Sequence, residues 1–296
     1  MRVAISFDYD SPAGYRESFS HANLSSTADV EGTHALLEVL AEHDVKTTFA
    51  IVGNVALDGP FPAHCPEQVR EIQAAGHEIA AHSMHHRFIP PMRREELLAD
   101  IRACKEALEV CTEQDIRGFV PPFNRPSHFP QMGAFSFSEL AGLHRRGRGR
   151  QSVGSLLETL RIADYGWCRV SFKNTLQGLT DRLGLRSEKI PCQPFLSHGV
   201  VAMPLHNTGF GPPAVALMKR YMNTDLVVTL CGHPFQALDD TRAANSEHVN
   251  CLAELLETFE PERENGTLKF CTMAEVETAF HAALATKPAV RQPAVF

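Results

Sequence analysis

The sequence predicts an α/β protein, a distorted (β/α) barrel of seven to eight strands. Apolar segments of strand length alternate with amphipathic helical patterns from one end of the chain to the other. This alternation is typical of βαβ units that build a parallel sheet or barrel. Neither an internal repeat nor an inter-domain linker is evident. Because α/β barrels of about 200–250 residues commonly form one domain, we expect a single domain over residues 1–296.

The first half of the chain begins with a strand pattern over residues 3–7, followed by a helix over 31–43 in which Leu36, Leu37 and Leu40 have helical spacing. Gly76 is placed to end the helix predicted over residues 66–75, as a C-cap. The remaining elements expected here are strands over 47–52, 79–81 and 116–120 and helices over 66–75, 94–110 and 155–163. Pro121 and Pro122 end the strand over 116–120 because proline cannot donate to a sheet.

The second half repeats this arrangement. We expect strands over residues 200–203, 226–230 and 268–270, and helices over 213–222, 246–259 and from Met273 onward. Residues 123–152 have no clean pattern and are rich in Pro, Gly, Ser and Arg. This stretch is predicted to be an irregular excursion that faces the substrate.

Composition excludes several classes of protein. A net charge of -7 and a pI near 6.1 argue against a nucleic-acid binder. The basic cluster over residues 145–150 is interpreted as a solvated loop, or alternatively as a clamp for an anionic substrate. The first residues lack an apolar signal core, and no apolar run is long enough to span a membrane. Eight scattered cysteines without a Cys-x-x-Cys pair fit reduced thiols, so the expected location is the cytoplasm.

Two carboxylates follow the first strand. Asp8 and Asp10 share one face if the strand persists, because side chains two residues apart point to the same side. Two carboxylates repel each other unless a cation joins them, so a metal ion is one interpretation. The alternative is a pair of exposed carboxylates that cap a loop.

Two histidines follow the strand over residues 79–81. His82 and His86 are four residues apart, which on a helical turn places them on one face, where both can bind one ion. Such pairs also arise by chance in a chain with 15 histidines, and His85 is a neighbouring alternative that this spacing disfavours. Two imidazoles and one carboxylate would leave a fourth position for water. Zinc is the default ion, and cobalt, nickel or iron also suit these ligands.

Four segments, in this order, resemble the motifs of the polysaccharide deacetylase family, also called the NodB-homology family or carbohydrate esterase family four. The family is marked by an Asp-containing strand end, a His-Ser/Thr-x-x-His turn, an aromatic residue after Pro, and a late Leu-x-x-His sequence. The corresponding segments are SFDYD at residues 6–10, GHEIAAHSMHH at 76–86, GFVPPF at 118–123 and LCGHP at 230–234. The resemblance runs over nearly the whole chain.

The resemblance implies a role for six residues. It makes Asp8 the general base that activates water, and His233 the general acid. It makes Asp10, His82 and His86 the ligands of one divalent ion, and it gives the backbone N–H of Phe123 a part in holding the oxyanion. It further implies a small-molecule N-acyl substrate and, through the branch with a spaced Asp-x-Asp pair, a possible homo-oligomer.

The sequence also departs from the family pattern. Many members have adjacent aspartates, whereas Tyr9 separates them here, a spacing that resembles a branch acting on small molecules or atypical glycans. The arginine that usually precedes the proline pair and binds the base is Val120 here. Arg117 and Arg125 are possible substitutes, although neither is in register. Asp164 and Trp167 are candidates for the fourth motif, which is otherwise hard to place; either could be purely structural.

The resemblance implies hydrolysis of an acyl C–N bond, with removal of acetyl from an N-acetylated sugar or an amino-sugar-containing small molecule. One alternative is an amidohydrolase or deformylase that acts on a non-sugar substrate, as in allantoinase-like relatives. Both reactions use the same stabilisation of a tetrahedral intermediate, so the motifs do not separate them. A second alternative, prompted by the missing arginine, is a catalytically silent binding module. His21, His198 and His206 are weaker candidates for the site.

Overall fold

The computed structural model describes residues 1–14, 25–124, 151–171, 192–237 and 247–286. The basic cluster at 145–150, His21, Arg125 and most of the predicted excursion lie outside the described residues.

Ten strands of the described chain form one sheet. They are β1 (Arg2–Tyr9), β2 (Thr48–Ile51), β3 (Glu78–Ala81), β4 (Gly118–Phe119), β5 (Trp167–Ser171), β6 (Phe195–Ser197), β7 (Val200–Leu205), β8 (Asn207–Thr208), β9 (Val227–Gly232) and β10 (Lys269–Cys271). The sheet order is β6-β7-β5-β4-β3-β2-β1-β9-β8, and β10 pairs with the start of β1. Every pairing is parallel except that of β6 with β7.

One stretch of chain joins the two ends of this sheet. β7 pairs with β5, whereas β8, which follows after His206 alone, pairs with β9. The backbone N–H of His206 donates to the carbonyl oxygen of Thr229 on β9, at 3.1 Å. The strands therefore occupy seven positions around a barrel, in which β7 and β8 share one position. The predicted α/β barrel is confirmed, with ten short strands in place of the seven or eight expected.

Eight α-helices that have both ends among the described residues surround the sheet. They are α1 (Ala28–Glu42), α2 (Pro66–Ala74), α3 (Arg94–Thr112), α4 (Val153–Ile162), α5 (Pro212–Tyr221), α6 (Glu247–Thr258), α7 (Glu260–Glu264) and α8 (Met273–Thr286). None of the described helices is both long and apolar enough to cross a membrane.

The alternation of side chains along β1 determines which of them face the barrel interior. Val3, Ile5, Phe7 and Tyr9 belong to the main hydrophobic cluster of the protein. Ala4 belongs to a second, smaller cluster, together with inward-facing residues of other strands and residues of α8. Because successive side chains point to opposite faces, the even positions of β1 face the barrel interior. This alternation directs Asp8 inward, toward the carboxyl end of the barrel.

The strand β5 was not predicted from the sequence. Its sequence is WCRVS, and a charged residue interrupts the apolar run that would have indicated a buried strand. Trp167 belongs to the inner cluster, whereas Cys168 and Val170 belong to the outer one. Arg169 therefore shares the inward face with Trp167 and is 1% exposed.

Candidate metal centre

Asp10, His82 and His86 converge at the carboxyl end of the barrel. Oδ1 of Asp10 lies 3.2 Å from Nε2 of His82 and 3.3 Å from Nε2 of His86. One ligand atom from each residue lies within 4.8 Å of the others, and all three residues are buried. Among the described residues this is the group of His, Cys, Asp and Glu side chains arranged to hold a metal ion. His85 is exposed, whereas His86 is buried.

The two histidines do not reach the site from a helical turn. Residues 82–86 form a bend, in which Ser83 and His86 have φ values of 62° and 53°. The bend is held from outside, because Gly53 and Asn54 donate their backbone N–H groups to the carbonyl oxygens of Ser83 and Met84. His82 and His86 therefore lie together, as expected, but through this bend and not through the helical turn that the spacing suggested.

The hydrogen-bonding state of these residues fits a cation. Nδ1 of His82 lies 2.8 Å from the carbonyl oxygen of Val120, which can only accept, so Nδ1 carries the proton and Nε2 presents a lone pair. Oδ1 of Asp10 is buried, and no described residue donates a well-oriented hydrogen bond to it. Acceptor atoms that face one another repel unless a positive charge lies between them.

The ionisation of Asp10 agrees with this environment. Burial opposes the charged form of this carboxyl, but a positive charge at the neighbouring His86 outweighs the effect and holds the pKa of Asp10 well below the usual range. Asp10 is therefore a carboxylate at neutral pH, as a metal ligand must be.

A helical turn over residues 11–14 covers the site from above. Gly14 lies so close that a Cβ atom on it would meet Cγ of His86 at 2.7 Å and Cβ of Asp10 at 3.0 Å. The chain can cross Asp10 and His86 here only because this residue has no side chain.

Asp8 lies beside the three ligands, but Arg169 holds it. Nη1 of Arg169 donates to Oδ1 of Asp8 at 2.8 Å, and Nη2 donates to Oδ2. Burial alone would raise the pKa of Asp8, but the positive charge of the neighbouring Arg169 outweighs this effect and lowers it. Asp8 is therefore a buried carboxylate with a dedicated cationic partner.

Arg169 is the functional residue that the sequence reasoning missed. The predicted substitutes for the family arginine do not take this place, since Arg117 binds Glu277 at 3.0 Å and Arg125 is outside the described residues. Val120 instead buries its side chain in the inner cluster and uses its carbonyl oxygen to orient His82. A charged residue at an inward position of a strand was the available signal, but the strand itself had not been recognised.

The guanidinium of Arg169 also reaches the loop after β4. Nη1 donates to Oγ of Ser6 at 2.7 Å, and Nη2 donates to Oδ1 of Asn124 at 2.6 Å. Asn124 and the preceding Phe123 have φ values of 51° and 60°, in the left-handed region that Asn tolerates better than most residues. Arg169 therefore ties Asp8 to the loop that contains Phe123.

His233 and Phe123 border the same site. Nε2 of His233 lies 4.0 Å from Oδ2 of Asp8, and its side chain is 12% exposed, which leaves it more accessible than the ligands. The ring of Phe123 lies 4.6 Å from the ring of His86. All six residues implied by the resemblance therefore surround one small region.

The other candidates have structural positions. The indole of Trp167 is buried and donates to Oε1 of Glu78 at 3.0 Å, and Asp164 lies in a turn with φ of 60°. His206 accepts at Nδ1 from the backbone N–H of Thr229 where the barrel closes. His198 lies in the turn between β6 and β7.

The fold and this cluster define an α/β barrel protein with a candidate single-metal centre at the carboxyl end of its strands. Residues 2–128 match the family model for polysaccharide deacetylase. A chitooligosaccharide deacetylase of Sinorhizobium fredii (strain NBRC 101917 / NGR234) is 32% identical over 92 residues, which cover 31% of this chain and 40% of the relative. A chitooligosaccharide deacetylase of Bradyrhizobium sp. (strain ANU 289) is 35% identical over 79 residues, 25% of this chain and 33% of that relative.

The fold comparison extends further along the chain than the sequence matches. A crystal structure from Mycobacterium smegmatis, described as a candidate polysaccharide deacetylase, has a TM-score of 0.64 and 17% identity, and covers 99% of this chain and 94% of that one. The sequence similarity to the polysaccharide deacetylase family therefore lies in the first part of the chain, and the likeness to the solved structure shows a shared fold over nearly all of it. The matched stretches span less than half the length of the two curated relatives.

Proposed function

We propose that this protein is a metal-dependent hydrolase that removes an acetyl group from an N-acetylated sugar or an amino-sugar-containing small molecule. The relatives that share its first part are named chitooligosaccharide deacetylases, which supports an acetylated carbohydrate as the substrate class. One observation carries the proposal. A carboxylate that is not part of the ligand cluster, Asp8, is held by Arg169 beside Asp10, His82 and His86.

The three clustered residues fit a divalent ion by chemistry and by geometry. Asp10 supplies a carboxylate, and His82 and His86 supply imidazole nitrogens, the set expected for a hydrolytic centre with an open position. Zinc is the expected ion, with cobalt, nickel or iron as alternatives. A divalent ion held there would act as a Lewis acid on the acyl oxygen and would make the attacking water easier to deprotonate.

The protein groups around the ion divide the remaining work. Asp8 would accept the proton of the attacking water, because it is ionised and Arg169 fixes its orientation. His233, whose Nε2 lies 4.0 Å from Oδ2 of Asp8, would donate a proton to the leaving nitrogen. Phe123 follows a proline pair in a tight left-handed turn, and its backbone N–H would help to hold the oxyanion.

The test is a screen for released acid, with metal added back to the protein. N-acetyl sugars, N-formyl sugars and cyclic ureides would be compared side by side, with Asp8→Asn as the matched inactive control. Acetate released from N-acetyl sugars supports the proposal. Turnover confined to the formyl compounds or ureides would assign the protein to the amidohydrolase alternative. A protein that takes up no added metal and hydrolyses none of the compounds would be the silent binding module.

Two finer expectations remain predictions. Assembly into a homo-oligomer is tested by light scattering, and a mass near the 32.7 kDa of one chain would contradict it. The expected cytoplasmic location is tested by fractionation of cells that produce the full natural protein.

A further inference from the structure

The side chain of Gln236 folds back onto His233. Its Oε1 lies 3.2 Å from the backbone N of His233 and 3.0 Å from ring atom Nδ1 of the same residue. The turn between the two residues is closed by a third bond, from the backbone N–H of Gln236 to the carbonyl oxygen of His233 at 3.1 Å.

These bonds assign the proton on the imidazole. A backbone N–H can only donate, so the Gln236 atom that faces it must be the amide oxygen and not the amide nitrogen. The same oxygen can only accept from the ring. Nδ1 of His233 must therefore carry a hydrogen, and Nε2 of the neutral ring must carry a lone pair.

We propose that Gln236 is the positioning residue of His233, and that it fixes the imidazole in the Nδ1–H tautomer with the Nε2 lone pair directed toward Asp8. The catalytic consequence rests on the proposed function, whereas the tautomer itself does not. Nothing in the sequence motifs indicated a role for this glutamine, which lies three residues after His233 in a short helical turn over Pro234–Ala237.

The tautomer decides the order of proton transfers. Neutral His233 cannot donate from Nε2, so this atom must first take up a proton. Oδ2 of Asp8 lies 4.0 Å away and would hold the proton taken from the attacking water. That proton passes from Asp8 to Nε2 and then to the leaving nitrogen when the C–N bond breaks. One proton leaves water and one reaches the amine, and both side chains return to their starting states.

The partner of Nδ1 is an uncharged amide, so the protonated ring receives no charge stabilisation from Gln236. Among the described residues, Asp8 and Asp10 at the end of β1 and His248 on α6 interact electrostatically with His233. Asp29 on α1 accepts a hydrogen bond from the backbone N–H of Phe235, two residues after His233, at 3.2 Å. Because the group that Gln236 offers to Nδ1 is uncharged, replacing its amide by a carboxylate is an informative change.

The first measurement reads the tautomer without any substrate. Nitrogen-15 chemical shifts and long-range proton couplings of the imidazoles distinguish Nδ1–H from Nε2–H, and the signal of His233 is assigned by its loss in His233→Asn. The wild-type protein should show Nδ1–H, and Gln236→Leu should show the Nε2–H form that an unconstrained imidazole prefers. An Nε2–H tautomer in the wild type would overturn the proposal.

The second measurement uses the active protein with its metal content verified. Gln236→Leu should lower kcat about 10- to 100-fold, part of the contribution of general acid–base catalysis, with little change in KM. Gln236→Glu keeps an acceptor for Nδ1, so it should retain most of the turnover. The alkaline limb of its plot of kcat against pH should move up by about one pH unit, because a carboxylate favours the protonated ring. Gln73→Leu, which removes a glutamine side chain that donates to the carbonyl oxygen of Thr112, is the control for a general loss of packing.

The outcomes separate the two proposals. If the wild type hydrolyses none of the acyl compounds but shows the Nδ1–H tautomer, the proposed function fails and the role of Gln236 in fixing the ring stands. Equal loss in Gln236→Leu and Gln236→Glu, with an unmoved pH profile, would show a purely structural glutamine and overturn the inference.

Discussion

Arg169 on β5 donates hydrogen bonds to both carboxylate oxygens of Asp8 on β1, across the interior of the barrel. The two side chains are 1% and 2% exposed, so neither charge has water as an alternative partner. The ion pair therefore stabilises the folded barrel, and its two hydrogen bonds orient Asp8, the proposed base. Each partner depends on the other, because a buried charge without its partner is strongly unfavourable.

Replacing Arg169 by Met should lower the free energy of unfolding by about 3–5 kcal/mol, since Asp8 would be left as an uncompensated buried charge. Denaturant titration measures this loss. The control is Arg94→Met, which removes an ion pair with Glu158 whose side chains are 48% and 41% exposed and which should cost at most about 1 kcal/mol. Equal losses in the two variants would show that Asp8 does not need its partner.

Replacing Asp8 by Asn and replacing Asp10 by Asn should affect different properties, the rate in the first case and metal binding in the second. Asp8→Asn should keep the metal and lose about 100- to 10,000-fold in rate, because it removes the base and leaves the three ligands in place. Asp10→Asn should bind metal weakly and regain part of its activity when metal is added, since an amide oxygen is an uncharged, poorer ligand. Metal per subunit and turnover are measured together. Metal-free Asp8→Asn beside metal-replete Asp10→Asn would reverse the two roles.

Several features of the site were predictable because they depend on local sequence. An apolar strand followed by Asp8 and Asp10, and a second followed by His82 and His86, indicate groups at one end of a parallel barrel. The structure brings Asp10, His82 and His86 together at that end. Their chemistry stays a prediction.

The contacts that depend on the tertiary structure were not predictable. Arg169 lies 161 residues from Asp8 along the chain, and the short strand that carries it has a charged centre. The bend at residues 82–86 needs left-handed backbone at Ser83 and His86, which neither residue type signals. Val120 looked like the loss of a functional arginine, yet its carbonyl oxygen orients His82.

Gly14→Ala should weaken metal binding although it replaces none of the three proposed ligands. The new Cβ would lie 2.7 Å from Cγ of His86, closer than real contacts of this kind, so the ring or the covering turn must move. Changes that disturb the orientation of a metal ligand typically cost about 10- to 100-fold in affinity. Competition with a chelator measures the change. Gly211→Ala is the control, since its Cβ would make only an ordinary contact, 3.6 Å from Sγ of Cys251. If Gly211→Ala binds the metal as weakly as Gly14→Ala does, the effect is nonspecific.

Glu78 should make stability depend on pH near neutrality. Its carboxyl accepts hydrogen bonds from Thr48 at 2.6 Å, from Trp167 at 3.0 Å and from the backbone N–H of Ala274 at 2.9 Å, and so joins β2, β5 and α8 at one point. Burial outweighs these bonds and raises the pKa from an ordinary 4.5 to about 7. The folded protein therefore holds this proton more tightly than the unfolded chain does.

The sign of the effect follows from that difference. A raised carboxyl pKa contributes stability that is fully present below about pH 4.5 and is lost as the pH rises through about 7. At 1.36 kcal/mol per unit, the shift corresponds to roughly 3 kcal/mol. Glu78→Gln cannot titrate, so the stability of the wild type relative to this variant should fall between about pH 5 and pH 8. Unfolding free energies of both proteins across this range measure the fall, and subtracting one from the other removes the contribution of every other group. For Glu254→Gln, at an exposed position on α6, the difference in unfolding free energy from the wild type should not change with pH. An equally constant difference for Glu78→Gln would show that the carboxyl of Glu78 is ionised throughout this range.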